Sequence, residues 1–191
     1  MLQKVKGGCE WAVRAKLFTD NPYEEVTPTK HKSSNEIDPF TQPERDLIIE
    51  AFENSRYYSY YSSFIKFMFF TGCRPPDAIA LTWGKVTAGE FIFDCDYVEG
   101  KLQERTKTEK RRKISLNSQI KNILLTAKTC NLDLVFSNKS GGYLDLHNIS
   151  NRAWKKILLS TSTRHRPLYN CRHTFITLCL NQGTPVAQVA A

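Results

Sequence analysis

The apolar run Phe64-Ile65-Lys66-Phe67-Met68-Phe69-Phe70 stops at Thr71-Gly72, and Arg74-Pro75-Pro76 follows at once. That handover constrains the fold more than any other stretch. The run is too short to span a bilayer and reads as a buried helix, expected from about Tyr58 to Thr71. Gly72 closes it, because glycine accepts the left-handed conformation common at helix C-termini. Pro75 biases Arg74 away from helical dihedrals, and Pro75 or Pro76 can open the next helix. Arg74 is therefore expected at a helix N-terminus, where free N–H groups and the dipole favour an anion. Its planar fork can grip two phosphate oxygens. Asp77, in the same first turn, can orient a basic partner.

A second stretch, Tyr169-Asn170-Cys171-Arg172-His173-Thr174-Phe175, repeats the pattern. It puts Arg172 at the start of a helix expected from about Asn170 to Asn181 and ended by Gly183. Standing alone, Arg172 could also form a surface salt bridge, the lesser of the two readings. Two arginines at helix starts suit a site that holds one phosphate. The net charge of +8, from 27 Lys and Arg against 19 Asp and Glu, also favours a polyanionic partner.

The rest of the chain is mainly helical. Residues 1–19 carry Val13, Leu17 and Phe18 near helical spacing, and Asp20-Asn21-Pro22 ends that helix. Alone it cannot bury its apolar face. Residues 21–40, with Pro22, Pro28, Pro39 and Lys30-His31-Lys32-Ser33-Ser34, have linker composition. Thr41 with Glu44 forms a capping-box pattern ahead of the stripe Leu47, Ile48, Ala51 and Phe52. Strands are expected at Glu90–Phe93, Lys101–Thr106 and Arg112–Leu116, giving a small three-stranded antiparallel sheet. Residues 106–111 would be the connecting turn, although no Asn-Gly or Asp-Gly marks it. Helices resume at Asn117 (Ile120, Ile123, Leu124, Ala127) and at Asp145 (Ile149, Ala153, Trp154, Ile157, Leu158). Thr184-Pro185 reads as the opening of a further helix, so the stop at Ala191 is expected to be a truncation. The fold class is thus α+β, mainly α-helical, with the sheet at one side.

Six cysteines include no C-x-x-C pair, so zinc spacing is missing and a reducing compartment is expected. The N-terminus has no apolar core of signal-peptide type. The Lys110-Arg111-Arg112-Lys113 run reads as a solvated charge patch. Tyr57, Tyr58, Tyr60 and Tyr61 have the spacing of a packed helix face rather than of a base-stacking platform.

Thr71, Gly72, Arg74, Asp77, Leu81 and Trp83 resemble, in register, the first signature of the tyrosine recombinases, the phage-integrase family. Arg172, His173, Thr174 and Phe175 resemble the second, His-x-x-Arg-His-Thr-Phe. The hairpin lysine that the family carries between them, often in a Thr-Lys-Thr context, is matched by Thr106-Lys107-Thr108. The resemblance covers about residues 41–191. It implies a catalytic domain there, with residues 1–20 as the last helix of a preceding DNA-clamping domain and 21–40 as the linker. It further implies a site-specific recombinase or integrase that cuts and rejoins double-stranded DNA through a 3′-phosphotyrosyl bond. Arg74 and Arg172 would stabilise the phosphorane-like transition state, and Lys107 would protonate the departing 5′ oxygen. His173 would pack beneath the site and hold the arginines by hydrogen bonds. Because the linkage keeps the bond energy, no ATP, metal or other cofactor is implied.

The pattern breaks in two places. Tyr169 stands where the family has its first histidine; a phenol can donate a hydrogen bond but is a poor base at neutral pH. The nucleophilic tyrosine, which the family places in a helix well after Arg172, has no counterpart before Ala191. A cytoplasmic, DNA-associated protein of bacterial or phage origin is implied, working as a tetrameric synapse when full-length and without a membrane partner. The rival is a non-catalytic DNA-binding relative or decayed remnant. An RNA-binding or purely structural basic domain gives no reason for two arginine motifs.

Overall fold

A computed structural model describes residues 2–26, 37–104, 111–127, 129–131 and 133–186. The chain divides into two compact units, Met1–Glu36 and Ile37–Ala191. In the first, helix α1 (Leu2–Arg14) is followed by a turn in which Asn21 Nδ2 donates to the Lys6 carbonyl. Trp11, Leu17 and Phe18 are more than half exposed.

The second unit opens with α2 (Gln42–Asn54), set by the expected capping box. Thr41 Oγ1 accepts from Glu44 N, and Glu44 Oε2 accepts from Thr41 N at 2.7 Å. Residues expected to begin the next helix instead form a 3₁₀ turn, Ser59–Tyr61, before α3 (Ser62–Thr71). Local hydroxyl bonds draw the backbone into that turn: Tyr58 N donates to Ser55 Oγ and Ser62 Oγ to the Ser59 carbonyl. Tyr58 and Tyr61 pack on the core, whereas Tyr57 is 71% exposed.

Helix α3 is buried nearly all round and stops at Gly72, φ +61°. Then α4 (Pro75–Ala80) leads into four strands: β1 (Glu90–Phe93), β2 (Cys95–Val98), β3 (Lys101–Glu104) and β4 (Arg112–Ser115). They pair as two antiparallel ladders, β1 with β4 and β2 with β3, not as one three-stranded sheet. The unexpected strand is β2. A tight turn at Glu99-Gly100, φ +51° and +79°, joins it to β3, so a type I′-like turn forms here without the Asn-Gly signal. The turn anticipated at 106–111 lies outside the described residues except for Arg111.

Helix α5 (Ser118–Leu125) is capped by Asn117, whose Oδ1 accepts from Ile120 N at 2.8 Å. From the Asp145 cap, α6 (Leu146–Asn148), a π-helical stretch (Ile149–Trp154) and α7 (Lys155–Ser160) run on, followed by α8 (Asn170–Asn181). Two aromatic clusters hold the unit. Trp154 meets Phe40, Phe52 and Phe69 with ring centroids 5.8, 6.2 and 6.3 Å away. Phe67 meets Phe91 and Phe136 at 5.3 and 5.2 Å. Among the described residues no helix is long and apolar enough to cross a membrane.

Candidate active site

The turn between α3 and α4 is built before any ligand arrives. Thr71 Oγ1 donates to the Phe67 carbonyl at 2.7 Å and accepts from Cys73 N. Gly72 is required twice. Its φ is left-handed, and a Cβ there would sit 2.3 Å from Phe175 Cδ1. Arg172 Nη1 donates to the Gly72 carbonyl at 2.6 Å. The two sequence motifs therefore interlock, with Phe175 against the Gly72 Cα and Arg172 on its carbonyl. Thr174, fully buried, accepts from Phe40 N and donates to the Asn170 carbonyl, which fixes α8 against the start of the unit.

Arg74 is the N-cap of α4 with an extended ψ of 144°, as the following proline requires. Asp77, wholly buried, takes Arg74 Nε at 3.3 Å and Nη2 at 3.0 Å. These contacts with Asp77 raise the Arg74 pKa above its ordinary value. Two further residues join this pair without having been expected. Asp96 on β2 accepts from Arg74 Nη2 at 3.2 Å. Arg112 on β4 bonds to Asp77 and lies over the Phe93 ring, 5.7 Å from its centroid. Arg112 is thus not part of a solvated patch. Its strand alternates, so Arg112 and Ile114 turn inward while Lys113 is exposed.

Cys73 lies at the centre of these groups. Burial pushes its thiol up to about 12 and Asp77 adds to that, while the Thr71 hydrogen bond and the charges of Arg112 and Arg172 act the other way. Tyr169 and Arg74 line one cleft of about 590 Å³, with Asn151, Lys155 and His165 along its walls. Tyr169 is 43% exposed. The His173 ring meets Tyr169 edge-on at 5.3 Å, and among the described residues no hydrogen bond joins His173 to either arginine. Lys107 lies outside the described residues.

The cleft so built offers one half-exposed arginine and a phenol beside it, with a second arginine, from α8, hydrogen-bonded to the turn that precedes Arg74. Residues 39–191 match the phage integrase family. The chain belongs to that family. Tyrosine recombinase XerC of Bacillus subtilis (strain 168) is 26% identical over 188 residues, covering 94% of this chain and 60% of that protein. The chain thus spans about 60% of the length of that curated relative. Solved integrase structures share the fold. The Tn1549 transposon integrase with a circular intermediate DNA aligns at TM-score 0.77 and 13% identity, over 98% of this chain and 67% of that one. A lambda integrase dimer bound to a COC′ core site aligns at TM-score 0.72 and 15% identity, over 95% and 65%. The family signature residues have visible packing reasons in Thr71, Gly72, Thr174 and Phe175. Asp96 and Arg112 carried no motif. An alternating strand pattern around Arg112 and Ile114 was the one available signal.

Proposed function

We propose that this phage integrase domain binds duplex DNA across the Arg74 cleft and cuts and rejoins one strand through a phosphotyrosyl bond. The observation that carries the reading is the convergence of Arg74 and Arg172 on one turn, with Tyr169 at its rim. In this reading the two guanidinium groups neutralise charge as a nucleophile adds to phosphorus, which is electrostatic stabilisation of a transition state. Asp77 orients Arg74. Lys107 delivers a proton to the 5′ oxygen as the strand leaves. Tyr169 donates a hydrogen bond to a non-bridging oxygen where the family has a histidine, and His173 backs the Tyr169 ring. The nucleophile is a tyrosine beyond Arg172, and no metal or other cofactor enters the scheme. Residues 1–20 end a DNA-clamping domain, residues 21–40 link it, and residues 41–191 form the catalytic domain. The active assembly is a tetramer on DNA in the cytoplasm of a bacterium. DNA-bound structures of similar fold support the choice of substrate.

The test is covalent capture on nicked DNA, with this chain continued by a tyrosine-bearing C-terminal segment. Arg74→Ala and Arg172→Ala should each slow capture by roughly 100-fold or more, the loss typical of an oxyanion donor. Undiminished capture in either variant would rule out the phosphate-clamp assignment. Tight DNA binding with no capture at all would favour a non-catalytic relative.

A further inference from the structure

The neighbourhood of Arg74 contains a carboxylate that the phosphate reading does not use. An arginine has five N–H donors in a fixed fork. At Arg74, Asp77 takes the side-on pair, Nε and one hydrogen of Nη2. Asp96 Oδ2 takes a second bond from Nη2 at 3.2 Å. A two-pronged grip on phosphate uses parallel donors from Nη1 and Nη2. One of those prongs is already filled. The charges agree with the geometry: Asp77 and Asp96 offset Arg74 and Arg112, which leaves Arg172 as the one uncancelled charge of these five groups.

The two carboxylates differ in kind. Asp77 is wholly buried and shared with Arg112. Asp96 retains 16% side-chain exposure and sits on the β2–β3 hairpin. That hairpin is held firmly beside the cleft. Tyr97, the next residue, stacks on Tyr143 at 4.0 Å with the rings 17° apart. Asp96 is thereby fixed in sequence and space while its own bond faces a half-exposed guanidinium.

We propose that Asp96 is a positioning carboxylate that fills one prong of Arg74 until a DNA phosphate displaces it. It stands in for the phosphate in the empty site, keeps the guanidinium extended toward the cleft, and disfavours anions too weakly held to compete. Duplex phosphate, presented with neighbouring backbone contacts, can displace it; a lone phosphate cannot. The inference rests on the reading of Arg74 as a phosphate ligand.

A double-mutant cycle separates the two ideas. A fluorescein-labelled random-sequence duplex is titrated at low salt with the 191-residue chain and with Asp96→Asn, Arg74→Ala and the double variant. Asp96→Asn should tighten binding about tenfold, and this gain should vanish when Arg74 is alanine. Asp96→Glu, which keeps the charge, should bind like the parent. If Arg74→Ala weakens binding but Asp96→Asn is neutral or weaker, the stand-in role is overturned and the phosphate reading survives. An equal gain in both backgrounds also overturns it, because that is general repulsion and not competition for Arg74. If Arg74→Ala changes nothing, the phosphate reading itself fails. Thermal melting of each variant identifies loss of fold; should Asp96→Asn unfold, Asp96→Ser carries the same comparison.

Discussion

At the scale of single residues, Asp77 governs the site. Its carboxylate is wholly buried and is shared by Arg74 and Arg112. A buried charge is tolerated only when paired and hydrogen-bonded. Arg112 therefore serves Arg74 indirectly, by holding the Asp77 carboxylate in place beneath it. Arg112→Ala should lower stability by about 1–3 kcal/mol, the cost of leaving a buried group short of a partner. It should also loosen Arg74 and weaken DNA binding. Arg112→Lys should restore only part of this, because an ammonium lacks the flat face that covers the Phe93 ring. Urea unfolding of the three proteins checks the first expectation. An unchanged midpoint for Arg112→Ala would mean that the Asp77 pair carries no net stability.

At the scale of elements, α3, α4 and α8 are locked through one glycine. The left-handed φ of Gly72 and the Phe175 ring against its Cα leave no room for a side chain. Gly72→Ala should cost more than the roughly 1 kcal/mol of an ordinary unfavourable glycine replacement, because strain and overlap add. Adding Phe175→Leu should recover part of the loss, whereas two independent sites would lose additively. A second lock ties residue 38 to the segment before α8. Arg166 donates from Nε to Asp38 at 2.7 Å and from Nη1 to Glu44 at 2.9 Å. The hydrogen bond from Arg166 holds the Asp38 carboxyl below its ordinary value of 3.8. A lowered folded-state value means that this stabilisation is complete above 3.8 and fades as pH falls through the depressed value. Melting temperatures of the parent and Asp38→Asn should therefore differ at neutral pH and converge as acid protonates Asp38. A constant difference down to strongly acid pH would show that the pair is not responsible. These contacts also mark what a sequence discloses. The Thr41–Glu44 box, the Gly72 stop and the helix start at Asp145 were legible because each is settled within one turn of chain. Strand β2 was not, because Cys95-Asp96-Tyr97-Val98 has no apolar alternation and gains its place from β3 and α4. Arg112 was hidden inside a basic run, since its inward direction depends on a carboxylate 35 residues away.

At the scale of the whole molecule, charge sets how this member of the phage integrase family should meet DNA under the proposed function. The chain carries +8, yet Asp77 and Asp96 offset Arg74 and Arg112 in the site, so affinity should come from many phosphate contacts rather than from one strong grip. Each phosphate neutralised by a lysine or arginine releases condensed counterions, and the logarithm of affinity falls linearly with the logarithm of salt, with a slope of about −0.9 per contact. Binding of the chain to random-sequence duplex should thus be weak, poorly selective for sequence and steeply dependent on salt. Arg172 already spends one donor on the Gly72 carbonyl, and Arg74 is shared between two carboxylates. Removing either should reduce the slope by about one, as loss of a single phosphate contact does, and weaken binding to different sequences alike. Lys113, exposed on β4, is the useful contrast. If it faces the duplex, Lys113→Ala reduces the slope by a similar amount without touching strand cleavage. A fluorescence titration repeated across salt concentrations measures all three slopes. Affinity that stays level from low to physiological salt would remove the electrostatic account of binding, and a level slope change for Arg74→Ala would take Arg74 off the phosphate.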